Sequence, residues 1–321
     1  KIHKAVSIAL ISAGFIPASH AVETNVNINN PNDTSITGDP AAVSLNDGGT
    51  FIISNSGTIN GETTAVASGI ELTGEGTTIT TLTNEGIING NATTGRFGSG
   101  IHLRTGARQS IGSIINSGTI SGSTQIDIFA EGILVFTGDI TTITNTGTIS
   151  GHANNQGGDG IALSNTSTIG TLTNDGTISG LSDSGGTTRG IFVGDGSAIT
   201  TLTNNADILA EVVVGTDAFG IQADQNSTIT ALTNDGTISG TANTLRGNGI
   251  MLSATSRIVT LTNNGTISGT AGTDTGHGIL VTSASTIGTL TNTGTISGTA
   301  SDNTGAGILV DRANSVITTL N

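Results

Sequence analysis

The chain lacks cysteine, tryptophan and tyrosine, and aromatic residues make up only 2% of its 321 residues. Without cysteine, the fold cannot rely on disulfide bonds. A single globular core normally uses aromatic side chains for bulk, so their scarcity argues against such a core, although 34% of the residues are hydrophobic. A thin core filled by stacked aliphatic side chains needs no aromatic residues and fits this composition.

Basic residues are also scarce, since nine lysines and arginines stand against 23 aspartates and glutamates, giving a net charge of −14. A surface of this charge repels nucleic acid and anionic lipid, so we expect neither as a partner. The sequence has no apolar run long enough to span a membrane, and we expect no membrane insertion by this segment.

What the chain does contain is a ten-residue motif, Thr-Leu-Thr-Asn-x-Gly-Thr-Ile-Ser-Gly, which returns with variations along most of its length. The Leu or Ile two residues before the motif Asn recurs at intervals of 29 to 32 residues. A near-constant period of this size is typical of a solenoid and not of a globular enzyme domain. The marked positions are Ile53, Leu82, Ile114, Ile143, Leu172, Leu202, Leu232, Leu261, Leu290 and Leu320.

A second motif, Gly-Ile-x-apolar, precedes every marked position after Ile53, so each of these repeats holds three short apolar runs. In one repeat these runs are Gly160 to Leu163, Ile169 to Asn174 and Gly176 to Gly180. They are rich in Ile, Thr and Val and are bounded by Gly, Asn and Ser, which favours strands and leaves no room for a helix. We therefore predict an all-β parallel β-helix of about ten coils of 29–30 residues, with three short strands per coil.

The alternation of side chains along a strand predicts which residues face the interior. Counting in steps of two places Leu172, Asn174, Gly176 and Ile178 inward, and the residues between them outward. Stacking then puts each Asn on the next Asn, where the buried amides can donate to and accept from one another. We expect Gly176 to form a corner with positive φ.

The first 21 residues resemble a secretory signal peptide. Lys1 and Lys4 form a basic start, Ala5 to Ile16 an apolar run, and Ser19-His20-Ala21 a cleavage site. Cleavage would leave seven arginines against 23 acidic residues, a net charge of −16. We predict a signal peptide over 1–21, an N-terminal lead-in or cap over 22–40, and the β-helix over 41–321. Because Leu320-Asn321 ends within a strand without a cap, we expect the helix to be truncated there.

The signal peptide, the acidic cysteine-free composition and the repeats together resemble the passenger domains of Gram-negative autotransporters, which follow the type V secretion route. This resemblance implies a right-handed β-helix, export, passage through a β-barrel translocator lying beyond Asn321, and display at the cell surface or release. It also implies a non-enzymatic adhesin or self-association stalk, whose partner is a host-cell surface, an abiotic surface or another copy of itself. A large exported adhesin using a separate transport partner remains the alternative.

The repeat loses its regularity between each Ser-Gly and the next Gly-Ile. We expect these stretches to emerge as loops along one edge, where variable residues of a repeat scaffold often form its binding face. Solvated loops that merely tolerate drift are the alternative. The candidate binding residues are Arg96, Phe97, Asp127, Phe129, Asp183, Arg189, Asp217, Phe219 and His277.

A search for catalytic groups favours a protein without enzymatic activity. Gly276-His277-Gly278 matches one element of the β-helical polygalacturonases, but their accompanying Asp and basic motifs are not recognisable, so His277 is assigned to a variable surface slot. Gly157-Gly158-Asp159-Gly160 occurs once and cannot build a calcium ladder. His102, His152 and His277 lie in different coils, so we expect no metal and no cofactor. A polysaccharide-active enzyme is kept as an alternative function.

Two outward columns add further alternatives. Rows of Thr-x-Thr, such as Thr171/Thr173 and Thr201/Thr203, resemble ice-binding faces, although Ala231 interrupts them and Thr is a common outward strand residue. A partly apolar column is predicted to face outward, where it could dock a partner or a second copy. Its apolar members are Leu134, Phe192, Met251, Leu280 and Leu309, and it is interrupted by Glu71, His102, Ala162 and Gln222.

Overall fold

The computed structural model describes residues 24–30, 35–38, 41–45, 48–63, 66–94, 97–104, 106, 108–125 and 129–321. The predicted signal peptide, residues 1–21, lies outside these ranges. Within them every regular element is a β-strand, and no helix long and apolar enough to cross a bilayer occurs in this part of the chain.

The 31 strands form three parallel sheets, each of which takes every third strand. Sheet A contains β1 (Thr24–Asn30), β4 (Thr50–Asn55), β7 (Thr78–Asn84), β10 (Gln109–Asn116), β13 (Gly138–Asn145), β16 (Thr168–Asn174), β19 (Ala198–Asn204), β22 (Thr228–Asn234), β25 (Arg257–Asn263), β28 (Thr286–Asn292) and β31 (Val316–Leu320). Sheet B contains β2 (Ser35–Gly38), β5 (Thr58–Thr63), β8 (Ile87–Ala92), β11 (Thr119–Thr124), β14 (Thr148–Ala153), β17 (Thr177–Ser184), β20 (Asp207–Val214), β23 (Thr237–Ala242), β26 (Thr266–Ala271) and β29 (Thr295–Ala300). Sheet C contains β3 (Ala41–Leu45), β6 (Val66–Leu72), β9 (Phe97–Leu103), β12 (Phe129–Val135), β15 (Gly157–Leu163), β18 (Thr188–Val193), β21 (Ala218–Ala223), β24 (Gly247–Leu252), β27 (Gly276–Val281) and β30 (Gly305–Val310).

Each coil therefore contributes one strand to each sheet, which confirms the predicted parallel β-helix with three strands per coil. The register places equivalent repeat positions on top of one another, and Leu172 pairs with Ile143 on one side and Leu202 on the other. The sheets begin earlier than predicted. Strands β1 and β2 lie within the segment 22–40, so part of the expected lead-in already belongs to sheets A and B. Right-handed winding stays a prediction from the resemblance.

The core consists of aliphatic columns that run along the helix axis. In one coil, Ile161, Ile169, Leu172 and Ile178 are all fully buried and belong to one continuous cluster. Each such side chain contributes about 1.5–3 kcal/mol by leaving water. Because the same residue type recurs in every coil, one coil packs on the next without bulky aromatic residues, as the composition suggested.

A ladder of buried asparagines runs beside this core, as the sequence predicts. The Nδ2 atom of Asn145 donates to Oδ1 of Asn174 at 2.8 Å, and Nδ2 of Asn174 donates to Oδ1 of Asn204 at 2.8 Å. The same Asn174 amide also donates to the carbonyl oxygens of Gly176 and Asp207. Equivalent bonds link Asn30, Asn55, Asn84, Asn116, Asn145, Asn174, Asn204, Asn234, Asn263 and Asn292 in one direction.

We predict that Asn174→Ala lowers the free energy of unfolding by roughly 2–4 kcal/mol, because it leaves the amide of Asn145 and the carbonyl of Asn204 without their ladder partners. Chemical denaturation monitored by circular dichroism measures the loss. The matched control is Thr171→Ala, an exposed position on the same strand, which should change stability by less than about 0.5 kcal/mol. Equal losses in both variants would contradict a stabilising role for the ladder.

Glycine occurs at the corner after the asparagine ladder for a reason other than the predicted positive φ. Gly176 does not have positive φ, since the residues that do are elsewhere. A Cβ atom on Gly176 would instead overlap the carbonyl oxygen of Gly147 in the preceding coil. Close stacking of backbones therefore selects glycine here. Left-handed conformations occur at the turn from sheet C to sheet A, where Asn165 and Thr166 have φ of 56° and 60°.

Candidate binding surface: a ridge and a groove

The variable stretches are largely strands and not the loops that the sequence suggests. In the stretch from Leu181 to Arg189, β17 continues to Ser184 and β18 begins at Thr188. The ends of sheet B and the beginnings of sheet C pack on each other through small side chains, which form a second cluster apart from the main core: Ala210, Val212, Ala218 and Ala242. We call this thin projection, with its short turns, the ridge.

Sheet C bends where it leaves the ridge and joins the main body. A Cβ atom on Gly160 would lie 2.6 Å from Cγ2 of Ile178, so Gly160 faces the interior, as the next residue, Ile161, also does. Two consecutive inward residues interrupt the alternation of a flat strand. The strand therefore turns, and the outer sides of its two halves line a groove that follows the helix axis.

Two columns of side chains line this groove, one on each side of the Gly-Ile step. Most are nearly buried although they lie on the outer side of the sheet; Glu131 is 5% exposed and Leu134 8% exposed. The ridge column is Ser68, Ser99, Glu131, Asp159, Arg189, Phe219, Asn248, His277 and Ala306, and the body column is Glu71, His102, Leu134, Ala162, Phe192, Gln222, Met251, Leu280 and Leu309.

This geometry corrects three of the predicted binding residues. Phe219 is 2% exposed, Asp217 7% and His277 1%, so none of them is a freely exposed loop side chain. The surface slot assigned to His277 is a buried position of the ridge column. There its Nδ1 accepts a hydrogen bond from the backbone N–H of Ala306, and burial lowers its pKa. The imidazole of His277 therefore links its own coil to the next coil, which contains Ala306.

The centre of the groove holds a hydrogen-bonded chain of polar side chains from successive coils. Oγ of Ser99 donates to Oε2 of Glu131 at 3.0 Å. Asp159 pairs with Glu131 in the strand register and accepts from the backbone N–H of Arg189 at 2.9 Å and from its Nη1 at 3.2 Å. Nε of Arg189 donates to Oε1 of Gln222 at 2.7 Å. Of the two carboxyl groups, Asp159 contacts the guanidinium, and Glu131 is hydrogen-bonded to Ser99.

Burial, more than the neighbouring charges, determines the protonation of Glu131. Burial, followed by repulsion from Asp159, raises the pKa of Glu131 to about 8, while the Ser99 hydrogen bond and Arg189 oppose the shift. Burial also raises the pKa of Asp159, against the attraction of Arg189. Glu131 is therefore mainly protonated at pH 7.

Neighbouring coils extend this polar chain. Nη1 of Arg104 lies 3.2 Å from Oε1 of Glu71, whose pKa is nevertheless raised by burial. Burial, and then Arg104, lowers the pKa of His102 to about 3, so its imidazole is neutral. Among the residues that the structure describes, Nδ1 of His102 has no hydrogen-bond partner. The body column of the groove thus contains a buried polar atom without a partner in the described part of the chain, one coil away from Glu131.

Aromatic side chains flank the same part of the groove. The rings of Phe97 and Phe129 stack with their centroids 6.1 Å apart. The guanidinium carbon of Arg189 lies 4.5 Å from the centroid of the Phe192 ring. Phe219 packs with Met251 and other apolar residues in a cluster that is separate from the main core. Phe97, Phe129 and Phe192 are only partly buried and can be contacted from outside.

The ridge tip presents a different surface. Val213, Val214 and Leu245 lie on adjacent coils and are 39%, 58% and 41% exposed. Asp183 is exposed there and lies 3.1 Å from Nε2 of His152. Asp217 instead holds Arg246 through two hydrogen bonds, at 3.0 and 2.6 Å. Of the other predicted binding residues, Arg96 and Asp127 lie outside the described residues.

The sequence interpretation missed the groove. The available signal was the slot before Gly-Ile that was assigned to His277, because Glu131 and Asp159 occupy the same slot in other repeats, but the sequence predicts that slot to lie at the surface. Pairing across coils makes neighbours of residues that lie 28 positions apart. No group of three or more metal-binding side chains occurs within the described ranges.

Comparison with known proteins does not assign a function to this surface. No family model matches the chain, and neither the curated proteins nor the solved structures give a match.

Proposed function

We propose that this chain is an exported, surface-displayed or secreted β-helix of the autotransporter-passenger type that acts as a non-enzymatic adhesin or self-association stalk. The signal-peptide-like start and the repeat motif support export and the family resemblance. The stiff stack of similar coils supports a role in projecting a contact surface. That surface would be the ridge, where the sequence varies from coil to coil while the ten-residue motif in sheets A and B repeats.

The observation that carries the proposal is the apolar patch at the ridge tip. Val213, Val214 and Leu245 are exposed at the ridge tip of two adjacent coils, whereas the outer side of sheet A is dominated by threonine. Several large apolar side chains exposed in one region are typical of contact sites. Glu211 lies two residues before Val213 on β20, and Asp183 lies on the neighbouring strand β17; both acidic groups are exposed and would keep the chain soluble while the ridge tip makes contact.

Catalysis is less well supported than adhesion. The ionisable groups of the groove are nearly buried, and Asp159, Arg189 and Gln222 satisfy one another's hydrogen bonds. A catalytic acid or base must reach the proton that it transfers. In this structure the side chains of Asp159, Arg189 and Gln222 instead link neighbouring coils.

The proposal predicts that replacing Val213, Val214 and Leu245 by Ser lowers attachment to cultured cells or to a hydrophobic abiotic surface by at least about tenfold, or 1.4 kcal/mol. The reason is that three exposed apolar side chains no longer leave water on contact. Attachment of the labelled chain is measured together with its thermal unfolding, which should stay nearly unchanged.

The matched control replaces Ile87 and Ile115 by Ser, since both are 45% exposed but lie on sheets B and A, away from the ridge tip. This variant should attach like the parent chain. Equal attachment of the ridge variant and the parent would reject the ridge tip as the contact surface. Loss in both variants would indicate non-specific adsorption.

A further inference from the structure

The central part of the groove, from β9 to β21, concentrates the aromatic residues of the chain. The whole sequence has seven phenylalanines and no other aromatic side chain apart from histidine. Four of them, Phe97, Phe129, Phe192 and Phe219, lie on the outer side of sheet C in neighbouring coils. The core needs none of these four, because it is built from aliphatic columns. Phe219 packs in the separate cluster with Met251 and Leu280, whereas Phe97, Phe129 and Phe192 are partly exposed and call for a reason other than packing.

Hydrogen-bonding groups lie between these rings. The carboxyl of Glu131, the guanidinium of Arg189 and the amide of Gln222 follow one another along the groove, one per coil or nearly so. Flat apolar rings beside directed donors and acceptors suit a ligand that has both apolar faces and many hydroxyl groups. Sugar rings have this combination.

The charge of the groove narrows the class of ligand. The carboxylate of Asp159 is matched by the guanidinium of Arg189, and protonated Glu131 adds no charge. An acidic polysaccharide would meet a chain of net charge −14 and a groove whose one central guanidinium is already paired. The local balance favours a neutral ligand.

We propose that the groove between β9 and β21 binds a neutral, unbranched glycan that lies along the helix axis. Phe129 and Phe192 contact the apolar faces of its sugar rings. Nη2 of Arg189, Nε2 of Gln222 and Oε1 of Glu131, which the hydrogen bonds between the described coils do not use, exchange hydrogen bonds with its hydroxyl groups. Successive coils about 4.8 Å apart place these groups in a line along the helix axis, which suits a linear polymer. The groove is a second surface beside the ridge, so this binding goes beyond the proposed adhesive function.

Isothermal titration of the full chain with neutral hexasaccharides of glucose, mannose and xylose, and with a galacturonate hexasaccharide, tests the proposal. We expect at least one neutral ligand to bind and the acidic one not to bind. Phe129→Ala and Phe192→Ala should each weaken binding roughly five- to tenfold, because each removes a partly exposed ring from the groove. Ile115→Ala, on the outer side of sheet A, is the control and should bind like the parent.

The outcomes separate this inference from the proposed function. If none of the neutral ligands binds while surface attachment persists, the glycan site is wrong and the adhesive ridge stands. Preference for the galacturonate ligand would overturn the neutral class. Binding that survives both Phe substitutions, with unchanged thermal unfolding, would place the site elsewhere. Release of new reducing ends, lost in both Glu131→Gln and Asp159→Asn, would support the groove as a glycan site and overturn the non-enzymatic function.

Discussion

Replacing Leu202 by Asp will destabilise the β-helix by about 4 kcal/mol or more and unfold the coils around β19. Leu202 is fully buried between Leu172 and Leu232 in the continuous core. The substitution removes a large apolar side chain and brings a carboxylate into a column that has no cation to pair with it. Denaturant unfolding followed by circular dichroism will show an earlier transition, and proteolysis will cut near the altered coil.

Thr203→Asp provides the control on the same strand. Thr203 is the next residue and faces outward, partly exposed, so a carboxylate there stays in contact with water. We expect a change of less than about 1 kcal/mol. If both variants unfolded at the same denaturant concentration, the assignment of Leu202 to the interior would be wrong.

Replacing Glu131 by Gln will stabilise the protein at alkaline pH, with the gain growing between pH 5 and 9. The pKa of Glu131 is about 8 in the folded chain, against the ordinary value of 4.5 when it is unfolded. Wild-type stability from this group is fully present below pH 4.5 and is lost as pH rises to about 8, because over this range the unfolded chain gives up the proton while the folded chain still holds it. Gln keeps the shape of the side chain but does not titrate. The free energy of unfolding of the variant should therefore exceed that of the parent by roughly 4 kcal/mol at pH 9.

Unfolding free energies of parent and variant, measured from pH 5 to pH 9, test this expectation. Glu85→Gln is the matched control, because Glu85 is exposed on the turn from sheet A to sheet B. The free energy of unfolding of this control should differ from that of the parent by a constant amount from pH 5 to pH 9. Parallel curves for Glu131→Gln as well would show that Glu131 is ionised at neutral pH and that the groove is more hydrated than its burial indicates.

Ion pairs between arginine and acidic side chains join neighbouring coils at several places in the chain. Arg108 holds Asp139 through two hydrogen bonds of 2.6 Å, and Arg246 holds Asp217, one coil apart in each case. Exposed pairs such as Arg108 and Asp139 add little stability, whereas the pairs lining the groove fix buried groups in place. The few basic residues of the chain are therefore largely committed to contacts between coils.

Periodicity alone was enough to predict the fold and much of sheet A. In a parallel β-helix the same position of every repeat is stacked, so the period of the sequence reports directly on the contacts. Alternation then correctly placed Leu172, Asn174 and Ile178 inside. The asparagine ladder followed from the chemistry of a buried amide that repeats at each coil.

The groove and the ridge could not be found in this way. Alternation along one strand assigns faces only while the strand stays regular, and sheet C breaks it with two consecutive inward residues at the Gly-Ile step. The bend made by that step decides that Phe219 and His277 are nearly buried although they lie outside the core.

The sequence by itself therefore determined the period, the three strands per coil, the aliphatic columns and the acidic character of the chain, because each depends on local alternation and on repetition. Only the tertiary structure decided which outward side chains share the groove. Glu131, Asp159 and Arg189 come from three separate coils, and their protonation depends on burial and on mutual distance. Such quantities arise only when the coils are stacked and sheet C is bent around them.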